Sequence, residues 1–377
     1  MSYYPLADRF PGLASLPRVE LVDAPTPIER LSPDDDLPLG WVWVKRDDLT
    51  SKLYGGNKVR KLEFLLGEAV AQERRALITF GAYGSNHALA TAVHAKALGL
   101  ETHVMLSPQA PGPFAARTLR AHAGLGTQLH EVEGWDGKRE AVEVRRALTE
   151  EFGIEPSIIP MGGTNPVGAL GYVNAALELV AQVEATGARE PDLVYVAGGT
   201  LGTAVGLAVG FAAAGAKTKV VAVRVTPMEI GSDDVAANLA AETIAFIRSL
   251  DEDFPALAPG DLRLELRHDW FEPGYGVVTP QTTEAVAVAA TRGLKLETTY
   301  TGKAFAAMIR DARAGAIDAD DHVVFWNTYS SAPMPAVGED VLLSPVLQAY
   351  IAECDRLFGR AGRRGVPGAS LVSGDFE

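Results

Sequence analysis

The stretch ALITFGAYGSNHALATAVHAKALG, residues 76–99, decides the fold. ALITF is an apolar and β-branched run and reads as a strand. A glycine-rich turn follows, and SNHALATAVHAKALG (85–99) reads as a helix that ends at Gly99, a C′ position. A strand that passes through a tight turn straight into a helix is half of a βαβ unit. The unit repeats along the chain. ETHVML (101–106) reads as a strand, and FAARTLRAHAG (114–124) as a helix closed by Gly124. TQLHEV, a helix over about 137–152 and PSIIP continue the alternation. Asn165-Pro166 supplies an N-cap and a first helical residue for a helix running to about Gly187. Further on, DLVYVA (192–197) and KVVAVRV (219–225) are near-continuous apolar runs, the pattern of strands covered on both faces. Thr279-Pro280 opens another helix that closes near Gly293, and HVVFWN (322–327) is a late strand. Alternating strands and helices predict an α/β protein with parallel sheets and right-handed crossovers, and their number predicts two sheets.

Upstream, a helix over 62–75 carries Leu62, Leu65, Leu66, Ala69 and Val70 as one apolar stripe, leaving Glu68, Gln72, Glu73 and Arg74 mostly outside it. Lys58 stands at the entry to that helix, where a rigid element holds it beside a neighbouring cleft. The 377 residues carry 34 Lys+Arg against 48 Asp+Glu, a net charge of −14, with 47% apolar and 22% charged residues. This is a globular composition. The acidic balance argues against nucleic acid or an anionic membrane as the main partner, while leaving room for a local basic site that takes a small anion. The single cysteine, Cys354, forms no intramolecular disulfide and reads as a small core residue, in keeping with a reducing, cytoplasmic setting. The first twenty residues lack a secretory pattern. AVGLAVGFAAAGA (204–216) reads as a buried helix and not a membrane span. The tail from about Gly359 reads as loop.

Several motif tests fail. GGTLGT (198–203) is not G-x-G-x-x-G, and no acidic residue closes the following strand. There is no Walker-type loop, no H-E-x-x-H and no G-x-S-x-G. His87 and His94 have no clustered ligands around them, so no metal site is expected.

Three segments together suggest chemistry. In YGGNKVRKLE (54–63) two glycines allow close backbone approach, and Lys58 has Arg60 and Lys61 nearby; like charges and partial burial depress an amine pKa, as a Schiff-base lysine requires. In GAYGSNHA (81–88) the helix start and the side chains of Ser85, Asn86 and His87 suit a carboxylate, with plain helix capping as the structural alternative. In GGTLGTAVG (198–206) a Gly/Thr-rich strand-to-helix turn suits a monophosphate, the alternative being a tight turn that binds nothing. A lysine, a carboxylate site and a phosphate cradle in one α/β chain point to pyridoxal 5'-phosphate and a small amino-acid substrate.

At these residues the chain resembles the pyridoxal-phosphate enzymes that include D-cysteine desulfhydrase and 1-aminocyclopropane-1-carboxylate deaminase, of the tryptophan-synthase β-like fold (fold type II). The resemblance runs from LPRVEL (16–21) and PTPIERL (25–31) to NTYSS (327–331), and KRDDLTSKLYGGNKVRKLEFLL (45–66) is its most specific part. GGTNPVGALGYVNAALEL (162–179), PGYGVVT (273–279) and TTYTGKAFAAMI (298–309) match as well.

The resemblance implies that Lys58 carries the cofactor and moves protons, and that Asn86 bonds its ring hydroxyl. Ser85 would face the substrate, with Tyr275 and Tyr300 as flanking donors or proton shuttles. Gly199, Thr200, Leu201, Gly202 and Thr203 would cradle the phosphate. Thr301 stands where the deaminases have a glutamate for the ring nitrogen, which implies a weaker electron sink and favours β-elimination. Asn327-Thr328-Tyr329-Ser330 replaces the usual His-Thr-Gly-Gly or His-Leu-Gly-Gly. Thr328 matches the desulfhydrase, and the side chains of Tyr329 and Ser330 have room to intrude into the pocket. Leu201 stands where the family has glycine. The expected activity is β-elimination on a small amino acid, D-cysteine first, with cyclopropane ring opening, a β-replacement or biosynthetic reaction, or binding without turnover as alternatives. The expected architecture is a larger domain (1–60 and 172–377) with a smaller one (61–171) inserted, in a cytoplasmic homodimer.

Overall fold

The computed structural model describes residues 3–112, 114–134 and 137–359. The tail expected to be loop lies almost wholly outside the described residues. The chain opens with a short helix, α1 (Pro5–Arg9), and two antiparallel strands, β1 (Ile28–Leu31) and β2 (Trp41–Lys45). α2 (Asn57–Ala71) leads into β3 (Ala76–Ala82), α3 (Asn86–Ala97), β4 (Glu101–Ser107), α4 (Ala115–Leu125), β5 (Gln128–Glu131), α5 (Lys138–Phe152) and β6 (Ser157–Ile159). Next come α6 (Pro166–Thr186), β7 (Leu193–Gly198), α7 (Gly202–Ala214), β8 (Lys219–Arg224), α8 (Met228–Gly231), α9 (Asp233–Leu250) and β9 (Leu264–Arg267). α10 (Pro280–Ala290), α11 (Thr301–Arg313), β10 (His322–Trp326) and α12 (Pro345–Phe358) complete the described chain.

The strands form two sheets. One has six strands in the order β1-β2-β10-β7-β8-β9, parallel throughout except at the β1–β2 edge. The other has four parallel strands in the order β5-β4-β3-β6. β7 and β8 are buried almost from end to end, as their unbroken apolar runs require. α7, the most apolar helix, is buried along nearly its whole length. Cys354 is buried in a cluster with Leu347 and Ile351 of α12 and residues of α4. No helix among the described residues is long and apolar enough to cross a membrane.

Local signals account for most boundaries. Asn165 Oδ1 accepts from the Gly168 N–H at 2.8 Å, Pro166 is the first helical residue, and Gly187 closes α6 in the left-handed region (φ 63°). Three expectations differ in detail. Gly124 lies inside α4, and Gly126 (φ 73°) closes it. Gly124 is glycine for another reason: a Cβ there would sit 2.1 Å from the Ala336 carbonyl oxygen. Val70 is 43% exposed, because the apolar stripe leaves the protein contact at the last turn of α2. α2 itself begins at Asn57, so Lys58 is in its first turn.

The start of α2 is anchored by a buried ionic network. The Arg60 guanidinium donates to Asp47 at 2.7 and 2.8 Å and to Glu178 at 2.9 and 3.0 Å. Asp47 Oδ2 also accepts from Tyr172 Oη (2.8 Å) and Trp326 Nε1 (2.7 Å), and Glu178 accepts from Lys45 Nζ at 2.5 Å. One helix turn is thereby tied to β2, α6 and β10. Paired carboxylates and cations satisfy one another in an interior that would reject any of them singly.

Candidate active site

A cleft of about 880 Å³, open mouth included, lies where the first turns of α2, α3 and α7 converge. Its size is that of a small-molecule site. The lining brings together Lys58, Ser85, Asn86, Tyr275, Tyr300 and Thr328, which are far apart in sequence.

Lys58 is half-buried, and its amine has no hydrogen-bond or ionic partner among the described residues. Burial pushes it down to about 8. The expectation that Arg60 helps does not hold, since two buried carboxylates neutralise that guanidinium and Lys58 owes its shift to desolvation. An unpartnered amine that is partly neutral near pH 8 is a nucleophile for a carbonyl group.

Three residues on, Lys61 has a different setting. It is fully buried, and its Nζ donates to the Gly162 carbonyl and to Thr164 Oγ1, both at 3.1 Å. Burial, and then the Lys58 charge, hold it well below its usual value. A Cβ on Gly202 would lie 2.7 Å from Lys61 Nζ, which puts this amine against the first residue of α7. The turn 199–203 leads into that helix. Leu201 adopts φ 63°, a left-handed conformation costing a non-glycine residue roughly 1–2 kcal/mol, and buries its side chain in the adjoining core. Gly202 N–H closes on the Thr200 carbonyl, whereas the amides of Thr200, Leu201 and Thr203 have no acceptor among the described residues. Thr200 Oγ1 meets Thr164 Oγ1 at 2.6 Å, and Asn57 Nδ2 donates to Thr203 Oγ1 at 3.0 Å. Free amides at a helix start with a buried amine donor beside them make a cradle that suits an anion. Asn57, Lys61 and Thr164 were not singled out from sequence as contributors to it. The spacing of Lys58 and Lys61, one turn apart, was the available signal.

α3 presents Ser85 and Asn86. Ser85 is the N-cap, accepting from Ala88 N–H at 3.2 Å, and also lines the cleft, so the capping and functional readings coexist. Gly81 makes room for it, because a Cβ there would lie 2.5 Å from Ser85 Oγ. Asn86 Oδ1 accepts from Tyr54 Oη at 3.1 Å. His87 turns toward β3: its Nε2 meets Thr79 Oγ1 at 3.0 Å, and burial keeps the ring neutral.

The opposite wall is aromatic. Tyr275 Oη and Tyr300 Oη are 2.7 Å apart, with their rings edge-to-face. Burial pushes Tyr275 up to about 12 and Tyr300 further, so both stay protonated donors. The Tyr300 ring lies against Gly199, where a Cβ would be 3.2 Å from Cε1. The Thr301 hydroxyl is 3.2 Å from Glu297 Oε1, and its oxygen accepts from the Glu297 N–H at 3.0 Å. Glu297, a lining residue the sequence reading missed, also takes the amides of Thr299, Tyr300 and Thr301 at 2.8 Å each, although burial still raises its carboxyl. The Thr328 hydroxyl lines the cleft without a partner among the described residues, while the Thr328 carbonyl accepts from Asn57 N–H at 3.1 Å. Tyr329 enters the cleft wall and stacks edge-on with Phe114. Ser330 does not enter it, because its Oγ is taken up by Gly55 N–H at 2.9 Å. Among the described residues, no three His, Cys, Asp or Glu side chains gather as metal ligands.

A partly neutral lysine, an anion cradle one helix turn away and donors on both walls fit a phosphorylated carbonyl cofactor held on Lys58. This is the class of protein the fold and cleft define. The chain belongs to the pyridoxal-phosphate dependent enzymes, whose family model matches residues 19–328. It is 37% identical over 303 residues, 79% of this chain and 89% of the relative, to a D-cysteine desulfhydrase of Klebsiella pneumoniae. A solved structure described as an ACC deaminase homologue superposes with a TM-score of 0.73 at 31% identity, covering 88% of this chain and 96% of the other. A solved threonine deaminase from T.th. shares the fold at 22% identity, with a TM-score of 0.54 over 88% of this chain and 99% of the other. The expected α/β architecture of fold type II is therefore found.

Proposed function

We propose that this enzyme eliminates the β-substituent of a small amino acid, with D-cysteine as the leading substrate and a keto acid, ammonia and sulfide as products. The observation that carries the reading is Lys58, an amine depressed by burial and without a partner in the cleft. Pyridoxal phosphate, when bound, supplies the electron sink that acidifies the substrate Cα–H. Lys58 Nζ would hold the cofactor and, released from it, would be the base for the Cα proton. The amides of Thr200, Leu201 and Thr203, with Lys61, hold its phosphate. Asn86 Nδ2 donates to its ring hydroxyl oxygen.

Thr328 Oγ1, which lines the cleft with no partner among the described residues, would be the hydroxyl offered to the cofactor's ring nitrogen. Thr301 Oγ1 is engaged by Glu297 and supports the loop instead. A neutral hydroxyl at the ring nitrogen would not hold it protonated, which would suit loss of a good β-leaving group. Ser85 and the α3 amides bind the substrate carboxylate, and the Tyr275–Tyr300 pair donates a proton to the departing group. Tyr329 narrows the substrate end of the cleft.

The two sheets are read as two domains, a larger one of residues 1–60 and 172–377 and a smaller one of 61–171, with the cleft between them. By resemblance to its family the enzyme is a cytoplasmic homodimer. Light scattering of the purified holoenzyme tests the assembly.

The deciding experiment is a visible spectrum of the pyridoxal-phosphate-loaded protein during addition of D-cysteine, with pyruvate and sulfide assayed on the same sample. A band that shifts while pyruvate appears supports the reading. A band without pyruvate rejects D-cysteine. Release of 2-oxobutanoate from 1-aminocyclopropane-1-carboxylate would favour the deaminase reaction, which the similarity to the ACC deaminase homologue keeps as second choice.

A further inference from the structure

Tyr54 is held at both ends against α3. Its carbonyl oxygen lies 2.9 Å from His94 Nε2. A carbonyl only accepts, so Nε2 carries the proton, and the imidazole, lowered by burial, is the neutral tautomer. At the other end the Tyr54 phenol donates to Asn86 Oδ1 at 3.1 Å, two helix turns before His94. Tyr54 is 2% exposed, and burial keeps its phenol protonated, so this hydroxyl is a permanent donor. The consequence falls on Asn86. An amide has one accepting and one donating end. With Oδ1 occupied by Tyr54, the end left for the cleft is Nδ2, which has no acceptor among the described residues. Turning the amide over would let Nδ2 donate to the phenol oxygen, but it would strand the buried phenol O–H, which has no other acceptor among the described residues, and bring the amide oxygen to the cleft.

We infer that Tyr54 is a positioning residue that fixes Asn86 with its donor end toward the cofactor's ring oxygen. It also ties the loop that leads into α2, whose first turn carries Lys58 four residues on, to the helix carrying Asn86, so that the two groups would keep a set separation toward the cofactor. This rests on the reading of Asn86 given above.

The test is a double-mutant cycle on the holoenzyme with Tyr54→Phe, which keeps the buried ring, and Asn86→Ala. Two quantities are read: the dissociation constant for pyridoxal phosphate, and the pH midpoint of the cofactor's visible band. An amide donor stabilises the ring oxygen most once the neighbouring nitrogen has lost its proton, so losing the donor moves that midpoint up. Tyr54→Phe is expected to weaken cofactor binding about fivefold, the typical worth of one hydrogen bond, and to raise the midpoint. Neither change is expected when Asn86 is already alanine. Equal effects in both backgrounds, or none in the first, overturn the inference. Should Tyr54→Phe fail to fold, Asn86→Asp keeps an acceptor for Tyr54 and removes the donor. It must then lose at least as much affinity as Asn86→Ala, and wild-type behaviour overturns the inference. A wild-type protein that takes up no pyridoxal phosphate overturns the parent reading as well, and shows this before any variant is made.

Discussion

Arg60→Met tests the buried network that holds the catalytic turn. Arg60 is 2% exposed, and its partners Asp47 and Glu178 are fully buried. The wild-type cluster contains two cations, Arg60 and Lys45, and two carboxylates, so it is neutral as a whole. Removing the guanidinium deletes four hydrogen bonds to carboxylate and one to Thr26 Oγ1 at 2.9 Å. Glu178 keeps Lys45, but Asp47 is left a buried anion supported only by Tyr172, Trp326 and Thr26. Breaking one side of a buried ion pair costs about 3–5 kcal/mol, a large share of the roughly 5–15 kcal/mol that holds a domain folded. Urea unfolding of the apoprotein, followed by tryptophan fluorescence, gives the number. Adding Asp47→Asn removes the stranded charge and should recover about 1–3 kcal/mol. The same pairing holds the Glu178 carboxyl at about 2 against an ordinary 4.5. Its stabilising share is present above about 4.5 and lost as pH falls toward 2, so Arg60→Met should also unfold at higher pH on acidification. A cost below about 1 kcal/mol, or additivity with Asp47→Asn, would refute the claim that the network anchors α2.

Reduction of the holoenzyme with borohydride should trap the cofactor on the Lys58 peptide, and Lys58→Ala should lose both the adduct and turnover; an adduct elsewhere rejects Lys58. The rate at which the apoprotein captures pyridoxal phosphate should rise with pH and level off above about 8, because the neutral amine attacks; an inflection near 10.5 would mean that burial does not tune it. Lys61→Met should weaken pyridoxal phosphate binding about tenfold or more while barely changing the affinity for pyridoxal, if Lys61 serves the phosphate as proposed, since pyridoxal lacks that group. Leu201→Gly relieves a left-handed leucine worth roughly 1–2 kcal/mol but empties a core site worth about 2–5 kcal/mol, so thermal unfolding should show net destabilisation even though glycine is the family's residue there.

The alternating strand and helix signals were legible because each is local. Apolar runs gave β7 and β8, and Asn165-Pro166 and Gly187 marked the ends of α6. The lining of the cleft was legible as far as motifs reached: Lys58, Ser85, Asn86, Tyr300 and Thr328 all lie on it. What escaped was whatever depends on who faces whom across long sequence distances. Arg60 looked like a charge beside Lys58, yet its side chain leaves the cleft for Glu178, 118 residues away. Ser330 looked able to intrude, but a backbone amide 275 residues earlier takes its hydroxyl. Glu297 carried no motif to mark it, and only the fold closes three amides around it.

Lys58 and Lys61 show why the two kinds of information must meet. They sit one turn apart on α2, share one depressing influence, burial, and have no carboxylate within bonding distance among the described residues. The sequence reading singles out Lys58 and gives Lys61 only the part of a neighbouring charge. The structure separates them by their acceptors. Lys61 is pinned between a carbonyl and a hydroxyl, against the first residue of α7, where the proposed cradle lies. Lys58 is bonded to nothing among the described residues, so it is free to form a bond and to swing between cofactor and substrate. An anion bound at the cradle would draw Lys61 toward its charged form. The three-residue spacing thus gives one buried site two amines in different settings, one held beside the cradle and the other open to a carbonyl group.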